Sequence, residues 1–197
     1  MAGNLKLTGK LAGVALKMLK DVCQILDKCQ IPYNLEGGTL LGIIRENRLL
    51  PWDNDMDLTI RQEFLEKLVK NRWRFWLAGY RTRIRYSKKD TPYYPKGCVR
   101  MLKIQTRHFL FKGHSLLDIF IKIKDKDQYF WMVDEKNPML KSVSAHYYES
   151  LSHYEFEGYS YLIPADYEDY LTCRYGDWKT PVKEYNYKKD DHAILKV

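Results

Sequence analysis

The sequence predicts a mixed α/β domain, and three features carry that prediction. Helical and strand periodicities alternate along the chain. Hydrophobic residues make up 45% and aromatic residues 14% of 197 residues, enough to bury a core without disulfides or zinc. No internal repeat, low-complexity tract or linker divides the chain, so residues 1–197 are expected to form one domain.

From about Leu11 to Gln30 apolar residues fall at 11, 14, 15, 18, 22, 25, 26 and 29, a helical stripe with lysines and Asp21 opposite. Ile31-Pro32 ends that helix. Tyr33 to Glu36 reads as a short strand, and Gly37-Gly38 as a turn. Thr39 is expected to cap a helix running to about Asn47. Asp55 to Ile60 alternates, with Asp55, Asp57 and Thr59 on one face and Met56, Leu58 and Ile60 on the other. Residues 61–79 read as one helix burying Phe64, Leu65, Leu68, Trp73, Trp76 and Leu77, stopped by Gly79. Strands are predicted at Tyr80–Tyr86, Cys98–Gln105, Leu116–Ile123 and Gln128–Val133. A hairpin over Tyr154–Ile163 and a helix at about Ala165–Tyr175 complete the chain.

The balance of 33 Lys and Arg against 25 Asp and Glu gives a net charge of +8, which favours anionic partners. The four cysteines, at 23, 29, 98 and 173, have neither C-x-x-C spacing nor a histidine at ligand spacing, so free thiols in a reducing compartment are expected. No signal-peptide pattern or run of ~20 apolar residues is present. The expected location is therefore cytoplasmic, with at most peripheral contact at an inner membrane.

Chemistry concentrates between Leu35 and Ile60, LEGGTLLGIIRENRLLPWDNDMDLTI. An EF-hand would need Gly and Glu where Leu58 and Phe64 stand, so calcium is excluded. No Walker motif appears. What remains is Asp-x-Asp on one strand and Asp118 in the apolar run LLDIFIKI on another. A buried acid is costly unless paired or on a metal. Asp55, Asp57 and Asp118 together suit one or two magnesium ions that share ligands with a substrate phosphate. Asp53 is either a further ligand or the residue that orients the loop. The five scattered histidines form no metal or nucleophile pattern.

The segment GGTLLGIIREN-x-LLPWDNDMDL resembles the signature of the LicD/fukutin phosphotransferases, a branch of the nucleotidyltransferase superfamily that also holds DNA polymerase β. Lys103 in VRMLKIQ, Asp118 in LLDIFI and the YGDWKTP segment match later motifs in order, so the resemblance covers about residues 30–181. Asn54 departs from it, standing where the family commonly has Asp. The resemblance implies a nucleotidyltransferase-like (DNA polymerase β-like) mixed sheet flanked by helices. It also implies transfer of a phospho-alcohol (phosphocholine, phosphoribitol or phosphoglycerol) from a CDP-activated donor to a sugar hydroxyl of a glycan, free or lipid-linked, with release of CMP.

In that scheme Asp55 and Asp57 hold Mg2+ or Mn2+ on the donor diphosphate, and Asp118 completes the site as ligand or base. Gly37, Gly38 and Thr39 admit the phosphates, Arg45 and Lys103 neutralise charge, and Tyr175 and Trp178 pack on the donor. A nucleotidyltransferase moving a whole NMP would use the same acids. A glycosyltransferase of the D-x-D type needs a longer nucleotide-binding half before its motif than this chain provides. A non-catalytic nucleic-acid-binding module explains the charge but leaves the three acids without a role, so no nucleic-acid partner is expected.

Overall fold

The computed structural model describes residues 6–108, 111–135, 137–182 and 185–195. Its frame is a seven-stranded mixed sheet. Strands β1 (Asn34–Glu36), β2 (Met56–Arg61), β5 (Phe111–Asp125), β4 (Val99–His108) and β3 (Tyr80–Tyr86) lie side by side in that order. Only the central pair β2–β5 is parallel; the flanking pairs are antiparallel. The far end of β5 continues into β6 (Gln128–Val133) and β7 (Met139–Ser144). A separate hairpin, β8 (Leu151–Phe156) and β9 (Tyr159–Pro164), packs beside β1.

Alternation along the strands divides the sheet into two unlike faces. Met56, Leu58 and Ile60 of β2 and Leu117, Ile119 and Ile121 of β5 point to one face. There they join Met18, Leu19, Val22 and Leu26 of α1 (Gly9–Lys28) in the buried core. The other face carries Asp57, Thr59, Asp118 and Lys122. The mixed sheet flanked by helices is therefore as predicted, with α1 supplying the apolar cover.

Three local expectations are corrected. The Gly-Gly pair is not a turn before a Thr39-capped helix but the first turn of helix α2 (Gly37–Glu46), capped by the Glu36 side chain. β2 starts one residue later than expected, so Asp55 sits at its mouth rather than within it. Residues 61–79 do not form one helix. A 3-10 turn at Gln62–Phe64 leads into α3 (Leu65–Lys70) and α4 (Arg72–Leu77), separated at Asn71, whose side-chain amide donates to the Lys67 carbonyl at 2.8 Å.

The expected buried set in this segment mixed two stripes roughly a third of a turn apart around a helix. The stripe of Leu68 and Phe75 is buried, with Phe64 and Leu65 packed partly against the core. Trp73, Trp76 and Leu77 lie outside, exposed. Strand β7 and the short helix α5 (His146–Glu149) were not anticipated. The C-terminal helix α6 (Tyr167–Tyr175) forms where expected.

Candidate functional site

Sheet register brings the acids together. Glu36 pairs with Asp57, Asp57 with Asp118, Asp118 with Lys103, and Lys103 with Arg83, so one row of charged residues crosses five strands. Neighbouring strands are ~4.8 Å apart, which sets the Asp57 and Asp118 carboxyls side by side on the polar face. Lys103 donates to Asp118 Oδ2, and Asp118 Oδ1 is buried without a hydrogen-bond partner.

Helix α2 is fitted closely under this row. Gly37 has φ +57°, a left-handed conformation that L side chains rarely adopt, and an added Cβ would lie 2.9 Å from Asp57 Oδ2. At Gly38 a Cβ would meet Asp53 Oδ2 at 2.1 Å, so only glycine lets the 48–53 loop lie flush on the helix. Thr39 Oγ1 accepts the Asp57 backbone N–H at 2.8 Å and fixes the start of β2 against α2. Leu7 N–H donates to the Asp53 carbonyl at 3.0 Å, holding the loop from its other side.

The carboxyls are only partly compensated by nearby cations. Burial, opposed only by Lys6, lifts Asp53 from 3.8 to about 6. Burial and then Asp118 lift Asp55 to about 6, against Lys103. Asp57 is pushed well above the usual carboxylate range by burial and by Asp55, Asp118 and Asp53. Burial also raises Asp118, although Lys103 and, more weakly, Arg100 and Arg85 pull it down. Burial raises all four acids, and Asp55 and Asp57 are raised further by their acidic neighbours, so positive charge is favoured here.

Among the described residues no group of three or more His, Cys, Asp or Glu side chains is arranged to hold a metal ion by itself. The donor set is instead open: hard carboxylate oxygens, one of them orphaned, beside a helix N-terminus. That chemistry suits a Mg2+ or Mn2+ ion whose remaining ligands are waters and substrate phosphates.

Arg45 meets Trp178 at the end of α2 away from the glycines, and Tyr175 packs elsewhere. Arg45 donates to the Trp178 carbonyl at 3.2 Å and to Glu46 Oε1 at 2.8 Å. The Trp178 indole is buried and donates to Thr172 Oγ1 at 3.2 Å. The Tyr175 ring lies 5.2 Å from that of Tyr185. The YGDWKTP segment thus tethers the end of α2 through Arg45.

The sequence reading missed a second charged cluster, buried beside the first. Glu36, directly before Gly37, accepts from Lys122 (2.8 Å), Thr59 (2.7 Å), Arg174 (2.5 Å) and the Tyr170 hydroxyl. Arg174 grips both oxygens of Asp191, at 2.9 and 2.6 Å, and Lys141 donates to the same carboxylate at 2.7 Å. Burial alone would raise Glu36, but Lys122 and Arg174 overwhelm it and hold the carboxyl far below its usual value. Burial pulls Lys122 down to about 7 against the attraction of Glu36. The available signal was the pair of cations in apolar surroundings, Lys122 in IFIKI and Arg174 in α6.

Comparison with known proteins places this geometry in a family. An uncharacterized protein of Rickettsia typhi is 27% identical over 166 residues, 82% of this chain and 45% of its own length. The lipopolysaccharide cholinephosphotransferase LicD of Haemophilus influenzae is 34% identical over 56 residues, covering 28% of this chain and 21% of that one. The human ribitol-5-phosphate transferase FKTN is 24% identical over 178 residues, 89% of this chain and 35% of its own. The chain thus spans about half or less of the length of these relatives. A crystal structure of ANT(2")-Ia with adenylyl-2"-tobramycin aligns with a TM-score of 0.44 at 14% identity, over 79% of this chain and 75% of that one. Residues 30–166, from the start of β1 to the edge of α6, match the model described as LicD/FKTN/FKRP, nucleotidyltransferase domain, and the chain belongs to that family.

Proposed function

We propose that the protein is a metal-dependent phosphotransferase that moves a phospho-alcohol from a CDP-activated donor to a sugar hydroxyl of a glycan, releasing CMP. The observation that carries this reading is the buried, unpartnered Asp118 Oδ1 in register with Asp57, whose own carboxylate lies against Gly37 at the start of α2. The LicD and FKTN relatives, named for phosphocholine and ribitol-5-phosphate transfer, support the choice of a phosphorylated alcohol as the transferred group.

Asp55 and Asp57, with Asp53 and Asp118 beside them, would hold Mg2+ or Mn2+, which would neutralise the donor diphosphate and polarise the reacting phosphorus. The chain's own groups do the rest. Gly37 and Gly38 make room for the Asp57 and Asp53 carboxylates at the first turn of α2, and the donor phosphates would approach that turn through the cation these acids hold. Asp118, with its free oxygen and raised pKa, takes the proton of the acceptor hydroxyl. The acceptor oxygen bonds to the alcohol-bearing phosphorus as the bond to CMP breaks, and Lys103 balances charge next to Asp118. The reaction is thus mainly positioning and charge neutralisation. The acceptor would be a cell-surface glycan or its lipid-linked precursor.

The test is a panel of CDP-choline, CDP-glycerol and CDP-ribitol with glycan acceptors and Mg2+ or Mn2+, read by phosphorus NMR. CMP and a new phosphodiester are expected from one donor. Asp55→Asn should cut turnover about a hundredfold or more, at least the loss that outer-shell changes cause at metal sites. Equal turnover by wild type and Asp55→Asn on every donor would refute the mechanism. NMP transfer from a nucleoside triphosphate, with none from CDP-alcohols, would replace it with nucleotidyl transfer.

A further inference from the structure

A second surface, remote in sequence from the carboxylates, has the composition of a lipid contact. On α4, Trp73, Trp76 and Leu77 are spaced i, i+3 and i+4 and are 53%, 56% and 65% exposed. Large aromatic and aliphatic side chains rarely cluster in water on a short helix without a partner. The surface extends to the β4–β5 hairpin. Arg107 of β4 donates to the Trp76 carbonyl at 3.2 Å, and Phe111, 76% exposed, opens β5 at the same hairpin. The segment that carries it is basic: between Lys67 and Lys89 the sequence holds nine Lys and Arg and no Asp or Glu, with Arg85 and Lys88 paired to Glu135.

We infer that α4 and the β4–β5 hairpin form a docking surface for an anionic lipid bilayer, with Trp73, Trp76, Leu77 and Phe111 entering the headgroup region and the surrounding arginines pairing with lipid phosphates. Three features favour a bilayer. Tryptophan beside arginine is the pairing found at membrane interfaces, where the ring is half-immersed and the guanidinium reaches phosphate. Leu77 and Phe111 offer apolar bulk with no polar group to recognise. The indole faces are already partly covered, by Arg74 over Trp73 at 4.7 Å and Arg107 over Trp76 at 4.4 Å, which hinders the base stacking that a single-stranded nucleic acid would need. Unlike the basic amphipathic α1, whose apolar stripe is spent on the core, this surface is unoccupied by the fold.

The attachment differs from a membrane span, since among the described residues no helix is long and apolar enough to cross a bilayer. It stands apart from the transferase reading, because none of its residues belongs to the carboxylate site. Binding and turnover can therefore fail separately.

The test is co-sedimentation of the full chain with phosphatidylcholine vesicles containing 0 or about 30% phosphatidylglycerol, each lipid also supplied with brominated acyl chains. Binding is expected only with the anionic lipid. It should weaken as salt is raised, since each basic residue at such a surface is worth about fivefold in affinity at moderate ionic strength. Tryptophan fluorescence should be quenched by the brominated lipid. Trp73→Ser/Trp76→Ser should bind about tenfold or more weakly and lose most of that quenching while keeping the wild-type melting temperature. Absence of binding at low salt, binding unchanged in the double variant, or unquenched tryptophans would overturn the assignment. So would a concentration-dependent dimer that the double variant abolishes, because the surface would then be covered by a second copy.

Discussion

At the residue scale the four acids of the site set a pH dependence that a bound cation should reverse. Asp53 and Asp55 titrate at about 6 in the fold against a usual 3.8, and Asp57 higher still. The folded chain therefore keeps protons that the unfolded chain loses. From pH about 4 upward through about 6, and further for Asp57, these groups take stability away as pH rises. Asp191 acts in the opposite sense. It is lowered to about 2, chiefly because Arg174 outweighs its burial, and its contribution is lost only as pH falls from about 4 towards 2. Lys122 titrates near 7 in wild type and site variants alike, so it cancels between them.

Asp55→Asn is accordingly expected to melt higher than metal-free wild type, by more at pH 7.5 than at pH 5. Mg2+ should raise the wild-type melting temperature more at pH 7.5 than at pH 5, by about 2–4 °C per kcal/mol of binding. Differential scanning fluorimetry with and without Mg2+ at the two pH values reads both effects. An equal Mg2+ shift at both, or one retained in Asp55→Asn, would remove the cation from this site.

At the scale of elements, α3 and α4 show where periodicity stops informing. Two apolar stripes share residues 64–77, and hydrophobicity does not say which one the sheet will accept. Phe75 won because its stripe continues that of Leu68, and the two tryptophans were left to solvent. Phe75→Ala should cost about 3–5 kcal/mol in urea unfolding and Trp76→Ser no more than about 0.5. The reverse order would mean that the helix packs on its other face.

The central strands were legible for the converse reason. In β2 the alternation was clear, and the single acid in the apolar run LLDIFIKI has few affordable explanations. Asp57 and Asp118 could thus be assigned to neighbouring strands of one site before their register was known. Glu36 and Arg174 could not be matched in advance, because their contact spans 138 residues and no local pattern encodes it. The glycines were expected to form a turn that admits phosphates, and their place as the first turn of α2 was not anticipated. What sets their conformation is the close approach of Asp57 and Asp53, which is tertiary.

At the scale of the whole molecule, the buried network joins the site to the C-terminal region. Arg174 holds Glu36 at the end of β1 with one nitrogen and Asp191, near the chain's end, with two others, while Lys122 approaches Glu36 from β5. Glu36 also accepts the Gly37 N–H at 3.3 Å, so the network fixes the junction where β1 becomes α2 and the glycines meet the acids. Replacing Arg174 with Met leaves two carboxylates buried with half their partners, and breaking such a pair costs about 3–5 kcal/mol. For a chain of this size that lowers the melting temperature by roughly 6–20 °C. Glu36→Gln paired with Lys122→Met removes both charges of the other arm and should cost less than the sum of its single changes, because the members share partners. If the network also positions α2, Arg174→Lys should recover part of the stability and little of the turnover, since an ammonium cannot grip Asp191 with two nitrogens while a third donor holds Glu36. Recovery of stability and turnover in equal proportion would show that the network supports the fold without aligning the site.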